Sequence, residues 1–233
     1  MNIYFDIETI PAQDSKTIDL IKADIENQKL SIKAPSNYKD QEKIDAYIKA
    51  EQEKLDAEFD ATYRKTSFDG GLGEICCIGY AIDDAAPQSI YGDTEAKILR
   101  EFYALLQQNY SPSSQQRPVF IGHNIVNFDL RFLFQRSVML GVKPPMMIPF
   151  AAKPWDESIF DTMTAWAGHG NRVSLDKLCK IFNIPLKGSE IGEEIDGSKV
   201  WDFYQAGRIA DIATYCEGDV ERTRAVYKRL TFQ

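Results

Sequence analysis

Two apolar segments with only five residues between them constrain the fold of this chain more than any other feature of its sequence. Glu74–Ile82 reads EICCIGYAI, and Gln88–Tyr91 follows it after the turn sequence DDAAP. Extended segments joined by so short a connection can pair only as antiparallel strands. A further apolar segment, at residues 1–7, predicts another strand, central in the same sheet. The chain is therefore expected to be built around a β-sheet.

Most of the remaining apolar residues recur at helical spacing. In residues 94–108 they stand at positions 98, 99, 102, 105 and 106, which is typical of a helix with one buried face. A strand is predicted at 118–122. Further helices are predicted at 128–140, 160–167, 175–182 and 208–229. This mixture of strands and helices indicates an α/β protein.

Residues 11–69 differ in composition from the rest of the chain. They are rich in Lys, Glu, Asp and Gln, and their apolar residues are spaced as in amphipathic helices. Pro35, followed by Ser36 and Asn37, divides the segment into two helical pieces. We predict a helical insert after the first strand, within a single domain at 1–233. Its acidic and basic residues are interleaved, which favours solvated helix faces over a binding patch.

Charge and composition exclude several classes of protein. The chain has 27 Lys and Arg against 35 Asp and Glu, a net charge of −8, which argues against binding to long duplex DNA or to anionic membranes. It still permits an enzyme that grips a few terminal nucleotides, because bound cations supply positive charge locally. We do not expect the N-terminus to be a signal peptide, and no apolar segment approaches the roughly 18 residues of a membrane span. We therefore expect a cytoplasmic protein without a membrane partner, whose four cysteines are reduced and mostly buried.

Carboxylates occur at three places where core packing does not account for them. Asp6 and Glu8 alternate on the first strand, so their side chains share a face. Asp129 follows a predicted strand and opens a helix, whose dipole favours a carboxylate. Tyr215 and Asp219 stand four residues apart on the terminal helix and lie on one face. Close carboxylates repel each other unless a cation lies between them, and such oxygen ligands suit Mg²⁺ or Mn²⁺.

In this order and in these settings, the motifs resemble those of the DEDD superfamily of 3′→5′ exonucleases, in the subtype whose last motif is Tyr-x-x-x-Asp. The motifs stand here as FDIET (5–9), as N-x3-F-D from Asn124 to Asp129, and as YCEGD (215–219). The likeness extends to stand-alone relatives of the proofreading domain of family B DNA polymerases, over residues 1–10 and about 74–230. It implies a ribonuclease H-like fold, a five-stranded mixed sheet with helices on both faces.

The resemblance also implies a chemistry, the two-metal hydrolysis of the phosphodiester bond at the 3′ end of single-stranded DNA, with release of 5′-mononucleotides. Asp6, Glu8 and Asp219 would hold one Mg²⁺ or Mn²⁺, and Asp6 would bridge to a second beside Asp129. One ion would lower the pKa of the attacking water, and the other would stabilise the leaving 3′ oxygen. Tyr215 would orient the water, since a phenol with a pKa of about 10 is a poor base at neutral pH.

Six residues near the first two motifs are candidates for substrate contacts: Ile7, Thr9, Ile10, His123, Asn124 and Phe128. Backbone groups of Ile7 and Thr9 would contact the terminal nucleotide, with Ile10 as an apolar wedge. The asparagine would bond to sugar or phosphate, and the histidine to phosphate. The phenylalanine would stack on a base, with a core position at the start of its helix as the alternative.

The motifs leave three activities open. DNA is favoured as the substrate because the second and third motifs resemble those of polymerase proofreading domains. RNA-processing members of the superfamily share the same acids, so a 3′→5′ exoribonuclease acting on RNA or short oligoribonucleotides is an alternative. A catalytically silent module that binds nucleic-acid ends is a second alternative, against which the intact set of four acids and Tyr215 argues. In proofreading, the partner would be a separate polymerase or another replication or repair protein.

Overall fold

The structure is a computed structural model that describes residues 1–92, 94–110, 117–153, 155–186 and 195–233. Its strands are β1 (Asn2–Ile10), β2 (Glu74–Ile82), β3 (Gln88–Tyr91), β4 (Val119–Gly122) and β5 (Ile159–Asp161). Its helices are α1 (Ser15–Ser31), α2 (Gln41–Lys65), α3 (Glu95–Asn109), α4 (Asp129–Leu140), α5 (Thr162–Ala167), α6 (Leu175–Phe182), α7 (Val200–Gln205) and α8 (Ile209–Leu230). A 3₁₀ turn at Thr66–Phe68 joins α2 to the segment before β2.

The strands form one mixed sheet in the order β3-β2-β1-β4-β5, with β1 in the centre. β1 pairs antiparallel with β2 and parallel with β4. β3 extends the antiparallel side, and β5 extends the parallel side. This is the five-stranded sheet flanked by helices that the resemblance implied, so the predicted fold is confirmed.

Side chains of β1 alternate between the two faces of the sheet. Ile3, Phe5 and Ile7 belong to the largest core cluster, which they share with residues of α3 and α4. Tyr4 points to the opposite face, where it packs with Val220 of α8. By the same alternation, the side chains at positions 6 and 8 lie on the α8 face. The acids of the first motif therefore project between the sheet and the terminal helix.

Two short elements depart from the sequence prediction. Residues 160–167 were expected to be helical throughout, but 159–161 form the edge strand β5, and α5 begins only at Thr162. Asp161 ends the strand and caps the helix, since its side chain accepts hydrogen bonds from the N–H groups of Met163 and Thr164. Helix α7 was not predicted at all. A three-residue strand and a six-residue helix are too short for a periodic pattern to develop.

Between β1 and β2 the chain forms α1 and α2, with the break between them around Pro35. The two helices pack mainly on each other, because Ile25 is the one buried residue in α1 and none of the residues of α2, all described, is buried. The end of α2 is attached to the body of the protein. The Tyr63 hydroxyl donates to the carbonyl of Ala12 at 3.1 Å, and Arg64 pairs with Asp202 at 2.7 Å.

A buried ion pair connects α3 and α4 to the sheet. Arg136 donates from Nε and Nη2 to the carboxylate of Glu95, with a shortest distance of 2.7 Å. Glu95 also accepts a hydrogen bond from the backbone N–H of Ile75 at 2.8 Å, and Arg136 Nη1 donates to the carbonyl of Gly70 at 3.3 Å. Because α4 begins at Asp129, this network fixes the helix that carries the second motif.

The cysteine prediction is confirmed, since all four thiols are free and buried: Cys76, Cys77, Cys179 and Cys216. Over the described part of the chain, none of the helices combines the length and the apolar character that a bilayer span requires. The cytoplasmic location stays a prediction.

Candidate active site

Asp6 and Glu8 lie towards the carboxyl end of the central strand, under helix α8. A carboxylate oxygen of each lies within 4.8 Å of the other and of the Cys216 sulfur. Glu8 is buried and Asp6 is half-buried. Across the antiparallel ladder, Asp6 is paired with Gly79 and Glu8 with Cys77. Both partners are small enough to leave room for α8. The alternation of β1 thus gathers two carboxylates at one point.

Asp129 approaches the same strand from α4, of which it is the first residue. It is buried, and its Oδ1 accepts a hydrogen bond from the backbone N–H of Ile7 at 3.1 Å. β4 pairs with β1 only from Asn2 to Tyr4, so this N–H lies beyond the ladder and takes a side-chain acceptor. Burial, followed by the nearby charge of Asp6, raises the pKa of Asp129 well above its ordinary value.

Helix α8 contributes Tyr215 and Asp219, one turn apart and both buried. The Tyr215 hydroxyl makes a hydrogen bond to the Asp219 carboxylate. Burial, followed by the negative charges of Glu8, Asp219 and Asp6, raises the pKa of Tyr215 above its ordinary value. At neutral pH this side chain is therefore a protonated phenol, which donates one hydrogen bond and accepts others.

Arg222, which the sequence analysis did not identify, holds Asp219 in place. Its Nε donates to Asp219 Oδ1 at 3.0 Å, and its Nη2 lies 3.0 Å from the same oxygen. Both side chains are buried. The spacing of three residues was visible in the sequence, but acid–base pairs at this spacing are common on exposed helix faces. Only the burial of this pair distinguishes it, and burial is not readable from the spacing.

A close contact between α8 and β2 sets the height of the third motif above the sheet. The Gly79 N–H donates to the sulfur of Cys216 at 3.2 Å. A Cβ at position 79 would lie 2.8 Å from that sulfur and 3.0 Å from the Cys216 carbonyl oxygen, so the contact requires glycine. The Cys216 sulfur in turn lies 3.6 Å from Asp6 Oδ2. This contact fixes the neighbouring Tyr215 relative to the first motif.

Asp161 orders the loop that precedes Asp129. Its Oδ1 accepts from the backbone N–H of Asn124 at 3.0 Å, in addition to capping α5. Asn124 has a φ of 64°, in the left-handed region that asparagine adopts more readily than most residues. Its side-chain oxygen accepts from Asn127 at 3.4 Å. From the sequence, Asp161 could be either a helix N-cap or an acid that supports the site, and in the structure it is both.

Among the substrate candidates of the first motif, the structure corrects one. Ile10 is 2% exposed and packs in a core cluster with Ile212 of α8, so it is a core residue and not an exposed wedge. Ile7 is buried too, and its backbone N–H is already bonded to Asp129. Thr9 is half-buried and donates from Oγ1 to the carbonyl of Ser67 at 2.7 Å.

The candidates of the second motif lie around the start of α4. Both ring nitrogens of His123 have protein partners at 2.9 Å, the Thr162 hydroxyl and the Val173 carbonyl, so a bond to phosphate would have to replace one of them. Phe128 is half-buried at the edge of the main core. Its ring lies 5.7 Å from that of Phe132 and 6.5 Å from that of Phe68, measured between centroids.

The donor set at this site fits a hard divalent cation. Asp6, Glu8, Asp129 and Asp219 supply carboxylate oxygens, which are the ligands that Mg²⁺ and Mn²⁺ prefer. The charge of Asp6 contributes, after burial, to the raised pKa of Asp129, so these two carboxylates repel each other in the absence of positive charge. Cations bound between them would remove that repulsion.

Comparison with known families gives a match over the second half of the chain and more. Residues 86–233, more than half of the chain, match a family described as "Predicted 3'-5' exonuclease related to the exonuclease domain of PolB". The chain belongs to this family. The match includes the exonuclease motifs at Asn124–Asp129 and 215–219, whereas the FDIET motif precedes it and joins the site through the pairing of β1. The resemblance inferred from the three motifs is confirmed.

Among solved structures, this chain is similar to the family B DNA polymerase of the hyperthermophilic archaeon Pyrobaculum calidifontis. The superposition has a TM-score of 0.57 at 13% sequence identity and covers 99% of this chain. It covers 24% of the polymerase, so the chain spans about a quarter of that protein's length. At this identity the likeness establishes the fold alone. Among proteins with curated functional descriptions, none matches this chain.

Proposed function

We propose that this chain is a metal-dependent 3′→5′ exonuclease that removes nucleotides from the 3′ end of single-stranded DNA and releases 5′-mononucleotides. One observation carries the proposal. Acids from β1, α4 and α8, far apart in sequence, lie around the carboxyl end of the central strand, and one of them is hydrogen-bonded to a protonated tyrosine. Membership in an exonuclease family supports the reaction class, and the similarity to a DNA polymerase supports DNA as the substrate.

In this proposal Asp6, Glu8 and Asp219 would hold one Mg²⁺ or Mn²⁺, and Asp129 would help to hold a second beside Asp6. When bound, the two ions lower the pKa of the attacking water and offset the negative charge on the phosphate and on the leaving 3′ oxygen. Four carboxylates and two divalent cations carry equal and opposite charge, and the buried guanidinium of Arg222 beside Asp219 adds one positive charge.

Tyr215 orients the attacking water. Its hydroxyl keeps its proton at neutral pH because burial and the surrounding acids raise its pKa. It donates this proton in a hydrogen bond to Asp219, and its oxygen accepts a hydrogen bond from the water. Glu8 accepts a second hydrogen bond from the same water, so a lone pair of the water faces the phosphorus. Arg222 keeps Asp219 in place during these contacts.

The test uses single-stranded DNA and RNA, each labelled at the 5′ or the 3′ end, with Mg²⁺, Mn²⁺ or EDTA. The expected result is a ladder of 5′-labelled DNA shortened stepwise from the 3′ end, with 5′-mononucleotides as products. EDTA and the variant Asp6→Asn should abolish cleavage. The matched control Glu101→Gln, at an exposed position on α3, should cleave as the wild type does.

Four outcomes would contradict all or part of the proposal. Internal cleavage products would show an endonuclease, and cleavage in EDTA or by Asp6→Asn would exclude the metal-dependent mechanism. Faster degradation of RNA than of DNA would replace the proposed substrate with RNA and leave the mechanism standing. End binding without cleavage by the wild type would indicate a catalytically silent module.

A further inference from the structure

An exposed aromatic ring stands next to the second motif. Phe68 is the last residue of the 3₁₀ turn after α2, and it is 68% exposed. Its ring lies against that of Phe128, the residue before Asp129, with 6.5 Å between centroids and 56° between planes. Because the two rings are tilted and close together, a planar ligand would stack on the outer face of Phe68 and not between them.

We propose that Phe68 is a substrate-binding residue whose exposed ring face stacks on an unpaired base at the 3′ end of the substrate. The inference rests on the proposed function and adds to it a contact supplied by the end of the helical insert. Phe128 supports the Phe68 ring from behind.

The Phe68 ring rests on a fixed support. Phe128 packs on Phe132, which is buried in the main core cluster shared by α4 and β1. A ring that leans on an anchored ring has little freedom to lose when a ligand binds, and this reduces the entropic cost of binding. The pair is therefore preorganised for stacking.

The turn that carries Phe68 is fastened to the end of β1 that bears the acids. Thr9, the residue after Glu8, donates from its hydroxyl to the carbonyl of Ser67 at 2.7 Å. The backbone N–H of Ala12 donates to Thr66 Oγ1 at 2.9 Å. A Cβ at Gly73 would lie 2.6 Å from the Thr66 carbonyl oxygen, so the chain entering β2 packs directly on this turn. The position of Phe68 relative to the acids is thus set by the backbone of β1.

The chemistry around Phe68 favours a nucleotide as the ligand. A small cavity of about 120 Å³ beside the ring is also lined by Thr9, Lys65 and Trp201. Lys65 is exposed and carries a positive charge that complements a phosphate, while Phe68 and Trp201 present aromatic surface. Single-strand-binding sites combine positive charge along the backbone with aromatic platforms for the bases.

Stacking on Phe68 predicts a particular kinetic effect. Every base has a π face, so the contact should not depend strongly on sequence. A stacked base contributes about 1–3 kcal/mol, which corresponds to about 5- to 150-fold in binding. Phe68→Ala should therefore raise KM for single-stranded DNA by about that factor, with kcat changed less than about twofold. Phe68→Tyr should retain the wild-type KM, and Phe68→Leu should resemble Phe68→Ala despite its apolar side chain.

The experiment combines these kinetics with a binding measurement. An oligonucleotide with 2-aminopurine as its 3′-terminal base is titrated with protein in Ca²⁺, and the quenching of its fluorescence reports stacking. The wild type and Phe68→Tyr should quench, and Phe68→Ala should not. Phe232→Ala is the matched control, since Phe232 is 97% exposed near the C-terminus and has no proposed role. Its KM and quenching should equal those of the wild type.

The outcomes separate this inference from the function on which it rests. Exonuclease activity with the same KM and quenching in Phe68→Ala as in the wild type would overturn the stacking role and leave the nuclease proposal intact. Quenching that depends on Phe68 without cleavage by the wild type would overturn the nuclease proposal and keep the binding site. A lower melting temperature of Phe68→Ala with an unchanged KM would show a structural role and also overturn the inference.

Discussion

The guanidinium of Arg222 and the carboxylate of Asp219 form a buried ion pair, with Nε and Nη2 each 3.0 Å from Oδ1. Because the two residues are three positions apart on α8, the pair holds Asp219 against its own helix and beside the Tyr215 hydroxyl. Asp219 Oδ1 is thus bound by Arg222, and this ion pair restricts the orientation of the Asp219 carboxylate.

Replacing Arg222 tests whether this pair substitutes for a cation. Arg222→Met leaves Asp219 buried without its counter-charge, and loss of one partner of a buried pair typically costs about 3–5 kcal/mol. We expect this loss in the free energy of unfolding in EDTA, measured by urea denaturation. Added Mn²⁺ should raise the melting temperature of the variant more than that of the wild type, because the ion offsets the charge of Asp219.

Arg64→Met is the control for Arg222→Met, since Arg64 pairs with the exposed Asp60 and Asp202 and each such pair contributes about 0–1 kcal/mol. Arg64→Met should lower the free energy of unfolding by no more than such exposed pairs contribute. It should leave the response to Mn²⁺ unchanged. An equal Mn²⁺ response in Arg222→Met and the wild type would show that Asp219 does not contact the ion.

Asp129 predicts a pH dependence of the metal-free protein. Burial, and then Asp6, raise the pKa of Asp129 in the folded state. The contribution of Asp129 to the free energy of unfolding is therefore fully present at pH values below the pKa of about 3.9 that it has in the unfolded chain. It is lost as the pH rises through the higher pKa of Asp129 in the folded protein. Asp129→Asn, whose side-chain oxygen still accepts from Ile7 N–H, should melt higher than the wild type at pH 8 in EDTA, with an advantage that shrinks towards pH 4.

Melting temperatures of both proteins between pH 4 and pH 8 check this prediction for Asp129. Mn²⁺ at pH 8 should reduce or reverse the advantage of Asp129→Asn, since the wild type gains more from the ion. A difference between the two proteins that stays constant over the whole pH range would contradict the assigned pKa direction.

Gly79→Ala tests the contact that positions the third motif. The new methyl group would lie 2.8 Å from the Cys216 sulfur and 3.0 Å from its carbonyl oxygen, so α8 must move away from the sheet. We expect a loss of about 1–3 kcal/mol in stability, as is usual for overpacking, and a lower kcat, because Tyr215 and Asp219 move with the helix. In Gly92→Ala no described atom lies within 4 Å of the new methyl group, so both quantities should be unchanged. An unchanged kcat in Gly79→Ala would show that the height of α8 does not matter for catalysis.

The Glu95–Arg136 pair predicts a strong coupling between α3 and α4. In a double-mutant cycle, Glu95→Gln and Arg136→Met should each lower the free energy of unfolding strongly. The double variant should lose clearly less than the sum of the two single losses, because it leaves no buried charge unpaired. Lys97→Met, which removes the exposed pair with Glu101 on the same α3 helix, should cost less than about 1 kcal/mol. Additive effects of the two buried substitutions would contradict the coupling.

The sequence predicted the elements that show a regular pattern over many residues. β2 and β3 have the predicted bounds 74–82 and 88–91, because a short turn between two apolar segments leaves little freedom. The helix α6 likewise runs from Leu175 to Phe182 as predicted. β5 was missed because three residues show no period, and its place in the sheet is set by pairing with β4.

The acids of the candidate site were also identifiable from the sequence, because their residue types and order match a known set of motifs. Their supporting residues were identifiable only in part. Arg222 and Phe68 matter through burial and unusual exposure, and neither property follows from local spacing. Asp161 was identifiable as an N-cap or a supporting acid, but its hydrogen bond to the distant Asn124 N–H was not. The prediction for Ile10 was wrong in the other direction. The sequence suggested an exposed apolar wedge against the terminal nucleotide, but Ile10 is a core residue.

The central claim is that four carboxylates on β1, α4 and α8 bind a pair of divalent cations. Anomalous diffraction from crystals soaked in Mn²⁺ tests it most directly. We expect two peaks, both against the Asp6 carboxylate, one also contacting Glu8 and Asp219 and the other Asp129. Well-ordered carboxylates in the arrangement described here, with no anomalous peak between them at millimolar Mn²⁺, would contradict the claim.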